Sequence, residues 1–468
     1  MANDMNSSQP SFPDAGSPEQ ITLKQHRKTA LSTVSELFQA WCTPLFERHH
    51  GKTSVQIGTV RPFGSYLLGV EDAESDIDLL CVAPACVSRL DFEENFTRVL
   101  AEHSDVTSLN CIFTAKVPIV KLEIEDVNVD LLFANLSTCG EVTSDWQDFW
   151  DDRLVLNCDE ATALSLNGLR NTEMLLQLVP NVSTFRCVLR SVKLWAKKRG
   201  LYSNILGYLG GAAWSILVAK VCITYPDLVP GSVICNFFKY FSAWDWSRPV
   251  SLTPYEEPIY VPPWKTWSPA DRAHITILTP AFPVCNAAYG VCQACPGILT
   301  VELELAAKIT EDVLEGREDW SELFQDLDFF QQFSYFLEID ILGTERQEFT
   351  EWHGLVLSKF KAFLTELETL APKTEVRLYP KSYNSQESIY RHGALYFIGL
   401  RFPPAATNMD LRMPVINFCS RMDEYRRGKT GINVRVLFQR RSQLPEHLLR
   451  QLQSPRRRTA SGRRLQAK

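Results

Sequence analysis

Apolar and polar residues repeat at helical spacing over the first fifty positions. Between residues 20 and 50, Leu31, Val34, Leu37, Phe38 and Trp41 share one face, which predicts an amphipathic helix. Residues 1–19 lack such a period, are rich in Ser, Pro, Asn and Asp, and are expected to be disordered. Past residue 50 the period shortens. Apolar runs broken by turn residues continue to about residue 138, and those at 75–82 and 127–133 predict strands of a buried sheet. Long helical patterns then return, clearest over 161–179 and 185–200. From residue 334 the predicted order is a strand (334–342), a helix (348–370), two strands (375–379 and 394–402), a helix (413–427) and a strand (432–438). That β-α-β-β-α-β order is the ferredoxin-like arrangement used by RNA-recognition modules. The usual RNP1 pattern is absent from residues 392–398, His-Gly-Ala-Leu-Tyr-Phe-Ile.

Size and composition narrow the class without changing this outline. A chain of 468 residues exceeds one ordinary core, so two to four domains are expected. Its 45% hydrophobic and 22% charged residues are those of a soluble globular protein, and no secretory signal opens it. The longest uncharged run, residues 201–219, holds Tyr202, Ser203, Asn204 and several glycines, and reads as buried structure rather than a membrane span. Thirteen cysteines read as reduced thiols; Cys292 and Cys295, with Cys285 nearby, lack the further ligands that zinc would need. Charge is unevenly spread. Residues 421–468 hold 14 Lys and Arg against 3 Asp and Glu, a balance of +11, which leaves −18 of the total −7 on the rest. A basic end on an acidic body fits a locally bound polyanion, and the last segment, 451–468, is expected to be disordered and to serve as import signal, RNA tether or solubilising tail.

Three carboxylates carry the candidate chemistry. Asp76 and Asp78 flank Ile77 in the first apolar run, so their side chains point to one face while Ile77 enters the core. Asp130 lies in the second run, and joins them if the two strands are neighbours. Three carboxylates so placed repel one another unless a cation lies between them, and hard oxygen ligands suit Mg²⁺. Eleven positions before Asp76 stands Ser65, in Phe63-Gly64-Ser65, where glycine lets the backbone approach a phosphate and the hydroxyl adds a donor. Arg186, Arg190, Lys193 and Lys197 form a basic stripe on a predicted helix, followed by Tyr202-Ser203-Asn204 and Gly207 to Gly211, where backbone and an aromatic face could receive a base. Within it Lys193 is the preferred triphosphate ligand. The pattern points to metal-dependent chemistry on a phosphate.

The residues that carry this pattern also resemble a known family. Phe63-Gly64-Ser65-Tyr66-x-Leu68-Gly69-Val70, Asp76-Ile77-Asp78-x-Leu80-Cys81-Val82, Val129-Asp130-Leu131-Leu132-Phe133 and Lys193-Leu194-Trp195-Ala196-Lys197-Lys198-Arg199-Gly200-x-Tyr202-Ser203-Asn204 look like the signature of the eukaryotic nuclear-type poly(A) polymerases. The resemblance implies an α+β multidomain protein: a polymerase β-like nucleotidyltransferase palm (51–138), a helical middle domain (139–322) against which the N-terminal helix (20–50) packs, and a ferredoxin-like RNA-binding domain (323–450). It implies template-independent transfer of AMP from ATP to RNA 3′ ends, with two Mg²⁺ ions, replaceable by Mn²⁺, on Asp76, Asp78 and Asp130. Phe63, Gly64, Ser65, Asn167, Lys193, Tyr202, Gly211 and Ala212 match ATP contacts, and Lys121 matches a position near the RNA primer. Nuclear localisation, 3′-end processing factors as partners, a monomeric state and no membrane association follow from the same likeness. The chain departs from the family at Leu67, Glu71-Asp72, Ala212 and Ala288, which leaves the choice of base open. A uridylyltransferase and a catalytically silent RNA-binding subunit are the alternatives.

Overall fold

A computed structural model of the chain describes residues 18–137, 139–255, 266–370, 374–385, 389–403, 410–445 and 448. The expected basic tail and residues 1–17 of the expected N-terminal disorder lie outside the described residues. Two compact units divide the chain. The first comprises Met1–Trp195, Leu209–Val291 and Leu299–Leu323; the second comprises Ala196–Tyr208, Cys292–Ile298 and Phe324–Lys468.

In the first unit, α1 (Pro18–His50) precedes β1 (Thr59–Phe63), the short α2 (Gly64–Leu68) and β2 (Ile77–Pro84). Two helical pieces, α3 (Arg89–Asp91) and α4 (Thr97–Glu102), lead to β3 (Val106–Ile112), β4 (Ile119–Ile124) and β5 (Val127–Leu136). The sheet order is β1-β2-β5-β4-β3. Its central pair, β2 and β5, is parallel, and its other neighbours are antiparallel. A parallel central pair covered on both faces explains the near-continuous apolar runs of these two strands.

Alternation along β2 and β5 sends side chains to two different cores. Ile77, Leu79, Cys81, Ala83, Val129, Leu131 and Phe133 pack with Ala30, Val34, Phe38, Cys42 and Phe46 of α1. Those α1 residues recur every fourth position and so form one continuous stripe. Each large side chain fully buried there contributes about 1.5–3 kcal/mol. The stripe is thus committed to the sheet, which corrects the expectation that the N-terminal helix packs with the middle domain. On the other face, Leu80, Val82, Leu132, Ala134 and Leu136 pack with Phe63, Leu166 and Leu169. Asp78 and Asp130, in phase with Leu80 and Leu132, lie on this second face.

Helices follow: α5 (Asp152–Leu156), α6 (Glu160–Leu178), α7 (Val182–Lys198), α8 (Gly211–Thr224), α9 (Pro230–Ser242) and α10 (Cys295–Leu314). The uncharged run at 201–219 is in part irregular and in part the start of buried α8. Among the described residues no helix is long and apolar enough to cross a membrane.

The second unit continues with α11 (Phe329–Gln332), β6 (Tyr335–Gly343), α12 (Arg346–Leu370), β7 (Glu375–Asn384), β8 (His392–Arg401), α13 (Arg412–Arg426) and β9 (Ile432–Arg440). Its antiparallel sheet runs β7-β8-β6-β9, the ferredoxin-like order expected from the element sequence. Trp352, Val356, Phe360, Phe363 and Leu367 of α12 are buried, as their helical spacing predicts. Strand β7 runs five residues beyond its expected end, through an irregularity between Tyr379 and Tyr383 that the local pattern does not signal.

Candidate active site

Strand register assembles the site. Asp78 on β2 is the direct partner of Asp130 on β5, Asp130 is the partner of Lys121 on β4, and Asp78 is the partner of Phe63 on β1. Direct partners share a face, so Phe63, Asp78, Asp130 and Lys121 form one row across four strands. Asp76 stands two positions before Asp78, at the mouth of β2. The parallel β2–β5 pairing sets Asp78 opposite Asp130, the neighbouring-strand arrangement on which their sharing a face depended.

The row is short of positive charge. Burial pushes the Asp78 carboxyl up to about 7, helped by the charges of Asp130 and Asp76 and opposed by Lys121 and Lys193. Burial, then Asp130, raises Asp76 as well, with Lys121 and Arg27 working against the shift. Lys121 donates to both oxygens of Asp130, at 2.8 and 2.7 Å. Among the described residues no three His, Cys, Asp or Glu side chains stand close enough to share an ion, and Asp130 is engaged by Lys121. The donor set nevertheless fits a hard divalent cation: carboxylate oxygens in excess of their counter-charges, on rigid neighbouring strands.

Gly64 makes room for that set. Its φ is +61°, and a Cβ there would fall onto Oδ2 of Asp78. Gly64 and Ser65 open the short helix α2, although the Gly64 N–H is already donated to Thr172 Oγ1 at 3.1 Å. Phe63 is 9% exposed, and its ring lies where a Cβ on Gly168 of α6 would come within 2.7 Å of it. It is a core ring, so only its backbone is available to a ligand. Asn167, buried on α6, donates Nδ2 to the Pro283 carbonyl at 2.9 Å, while its Oδ1 has no hydrogen-bond partner. Gly211 begins α8, which packs on α2 and α6, and Ala212 is exposed in its first turn. Tyr202 belongs to the second unit, where Lys197 Nζ lies 5.7 Å from its ring centre.

The basic stripe goes where sequence reasoning did not send it. Arg186 Nε donates to the Leu68 carbonyl at 2.7 Å, Arg190 donates to the Gly69 carbonyl, and Lys193 Nζ donates to the Val70 carbonyl at 2.9 Å. Three cations on one face of α7 thus meet three consecutive carbonyls at the end of α2. A further participant, Arg27 of α1, was missed. It is 3% exposed and donates to the carbonyls of Asp72 at 2.6 Å and Ser75 at 2.9 Å. One signal could have found it: Arg27 falls three residues before Ala30 and seven before Val34, a charge on the buried stripe of an amphipathic helix.

Three consecutive family models match this chain: the poly(A) polymerase nucleotidyltransferase domain over residues 14–179, the poly(A) polymerase central domain over 184–326, and the poly(A) polymerase predicted RNA binding domain over 328–392. The chain belongs to the poly(A) polymerase family. Among curated relatives, a poly(A) polymerase of Dictyostelium discoideum is 32% identical over 450 residues, covering 92% of this chain and 54% of the relative. Nuclear poly(A) polymerases 2 and 1 of Arabidopsis thaliana are 33% and 34% identical, again over 92% of this chain and over 55% and 62% of their own lengths. The chain thus spans a little over half the length of these family members. A crystal structure of the Cid1 poly(U) polymerase with Mg 3′-dATP bound superposes with a TM-score of 0.44 at 16% identity, covering 66% of this chain and 94% of that one. That degree of likeness decides nothing about the nucleotide.

Proposed function

We propose that this poly(A) polymerase family member is a polynucleotide adenylyltransferase that adds AMP from ATP to RNA 3′ ends without a template. The carrying observation is Asp78 facing Asp130 across a parallel strand pair, directly beside the Gly64-Ser65 turn. In this reading Asp76, Asp78 and Asp130 hold two Mg²⁺ ions, with Mn²⁺ as a substitute; when bound, these ions acidify the 3′ hydroxyl and offset charge on the departing pyrophosphate. The 3′ oxygen forms the new bond to the α-phosphorus as the bond to pyrophosphate breaks. Ser65, Lys193 and the first turn of α8 at Gly211 and Ala212 orient the triphosphate by hydrogen bonds and charge. The unpartnered Oδ1 of Asn167 accepts from a hydroxyl or N–H of the nucleoside. Lys121 exchanges Asp130 for an RNA phosphate once the carboxylate is otherwise neutralised. A nuclear setting is supported by relatives named nuclear poly(A) polymerase; mRNA 3′ ends as substrate and 3′-end processing factors as partners complete the reading.

The test is primer extension by the purified chain with Mg²⁺ and each nucleoside triphosphate in turn. ATP is expected to be the preferred donor, and Asp130→Ala to lower AMP addition at least about 10³-fold while far-UV circular dichroism is unchanged. Preferential UMP addition would establish the uridylyltransferase alternative. No extension with any donor would leave the silent subunit.

A further inference from the structure

The segment between Ser65 and Asp76 separates the phosphate-approaching turn from the aspartates, and it is loop for most of its length. Its order comes from elsewhere. Helix α2 closes on Gly69 at φ 69°, whose N–H returns to the Ser65 and Tyr66 carbonyls. The Leu68 and Gly69 carbonyls are acceptors at that helix end, where positive charge is favoured, and the Val70 carbonyl follows just outside it. They receive Arg186, Arg190 and Lys193. A Cβ on Gly69 would come within 2.9 Å of Arg186 Nε, so glycine is needed there for close approach as well as for the left-handed turn. Further along, Ser75 Oγ donates to Asp72 Oδ1 at 2.7 Å and accepts from the Asp72 N–H at 3.0 Å. The two outward carbonyls of that turn, Asp72 and Ser75, both receive Arg27. Four cationic side chains from two helices therefore hold five backbone carbonyls between Ser65 and Asp76.

We infer that Arg27, Arg186 and Arg190 are positioning residues: clamping this segment from α1 and α7, they set where Gly64 and Ser65 stand relative to Asp76 and Asp78. The inference rests on the adenylyltransferase reading for its catalytic consequence. A charged hydrogen bond to a backbone carbonyl contributes about 1.5–3 kcal/mol when made. Its loss frees one anchor rather than the fold, because α1 and α7 keep their apolar faces in place. A misplacement of about 1 Å between a nucleotide's phosphates and the reacting groups costs roughly 10²-fold in rate.

The test uses the full chain with Arg27→Gln, Arg186→Gln/Arg190→Gln and Arg186→Lys. AMP addition is measured well below each variant's melting temperature, and amide hydrogen exchange is followed over residues 64–76. The glutamine variants are expected to lose about 10–100-fold in kcat with KM for ATP within about threefold of wild type. Exchange in the segment should accelerate, and Arg186→Lys, which keeps one donor, should recover most of the rate. Wild-type kcat in the glutamine variants, or unchanged exchange with a loss that only follows thermal unfolding, overturns the inference. A wild-type chain that extends RNA with no donor overturns the adenylyltransferase reading instead. In that case exchange alone decides the clamp: unchanged rates refute it, and faster exchange in the variants supports it.

Discussion

Two sheets in this molecule place aspartates on strands, and they treat them in opposite ways. In the second unit, Asp340 on β6 is the direct partner of Arg435 on β9, and the guanidinium meets its Oδ2 at 2.6 Å. Register holds this buried acid to a base, although Glu338 on the same strand also lies in the field of Arg435. In the first unit, Asp76, Asp78 and Asp130 stand at one end of a face with Lys121 bonded to Asp130 and Lys193 bonded to a backbone carbonyl. Of the three, Asp130 is hydrogen-bonded to a cation, while Asp76 and Asp78 feel Lys121, Lys193 and Arg27 only at longer range. A carboxylate kept for structure is neutralised by the chain itself, whereas a site awaiting a cation is left under-neutralised and destabilises the fold around it.

The largest effect expected from this contrast is on stability against pH. The folded protein holds the Asp78 proton to about pH 7 and the unfolded chain to about 3.8. That group's contribution to stability is therefore complete below pH 4 and is lost as pH rises through 7. Asp78→Asn removes the loss, so the metal-free variant should be more stable than wild type by about 2–4 kcal/mol at pH 8 and equal to it near pH 4. Thermal melts in a chelator at the two pH values check this. A variant less stable than wild type at pH 8 would mean that the acids are already matched, as Asp340 is.

Next comes the room left for Asp78. Gly64→Ala forces a methyl group onto its carboxylate at a positive φ. AMP addition should fall roughly 10²-fold, with about 1–3 kcal/mol lost in stability. Single-turnover rates and urea melts measure the two, and undiminished rates would show that the turn and the acid are not in contact.

The smallest effect sharpens the other side. Asp340→Ala should cost about 2 kcal/mol, less than for a fully enclosed pair because Arg435 reaches solvent. Asp340→Leu/Arg435→Met should recover most of that, as a packed apolar pair can. Urea melts of both variants give the comparison, and a silent single variant would remove the pairing argument.

Much of the fold was legible in the chain. Apolar runs bounded by turn residues located β2 and β5, a 3.6-residue period located α6, α7 and α12, and element order alone led to the ferredoxin-like sheet. The acids stood out because charge inside an apolar strand is costly without a purpose. The N-terminal helix was legible as a helix but not in its destination, because an apolar stripe says only that something covers it. The basic stripe was legible as charge and illegible as a clamp.

By itself, then, the sequence determined which residues are strand, helix and buried acid, since these follow from local periodicity and side-chain chemistry. Only the tertiary structure decided that Asp78 faces Asp130, because that depends on the register of strands some fifty residues apart. It also decided that Arg27, Arg186 and Arg190 hold the segment before Asp76. The physical reason is general. Their partners are backbone carbonyls, which every residue carries, so nothing in the identity of Leu68, Gly69, Asp72 or Ser75 marks them as acceptors.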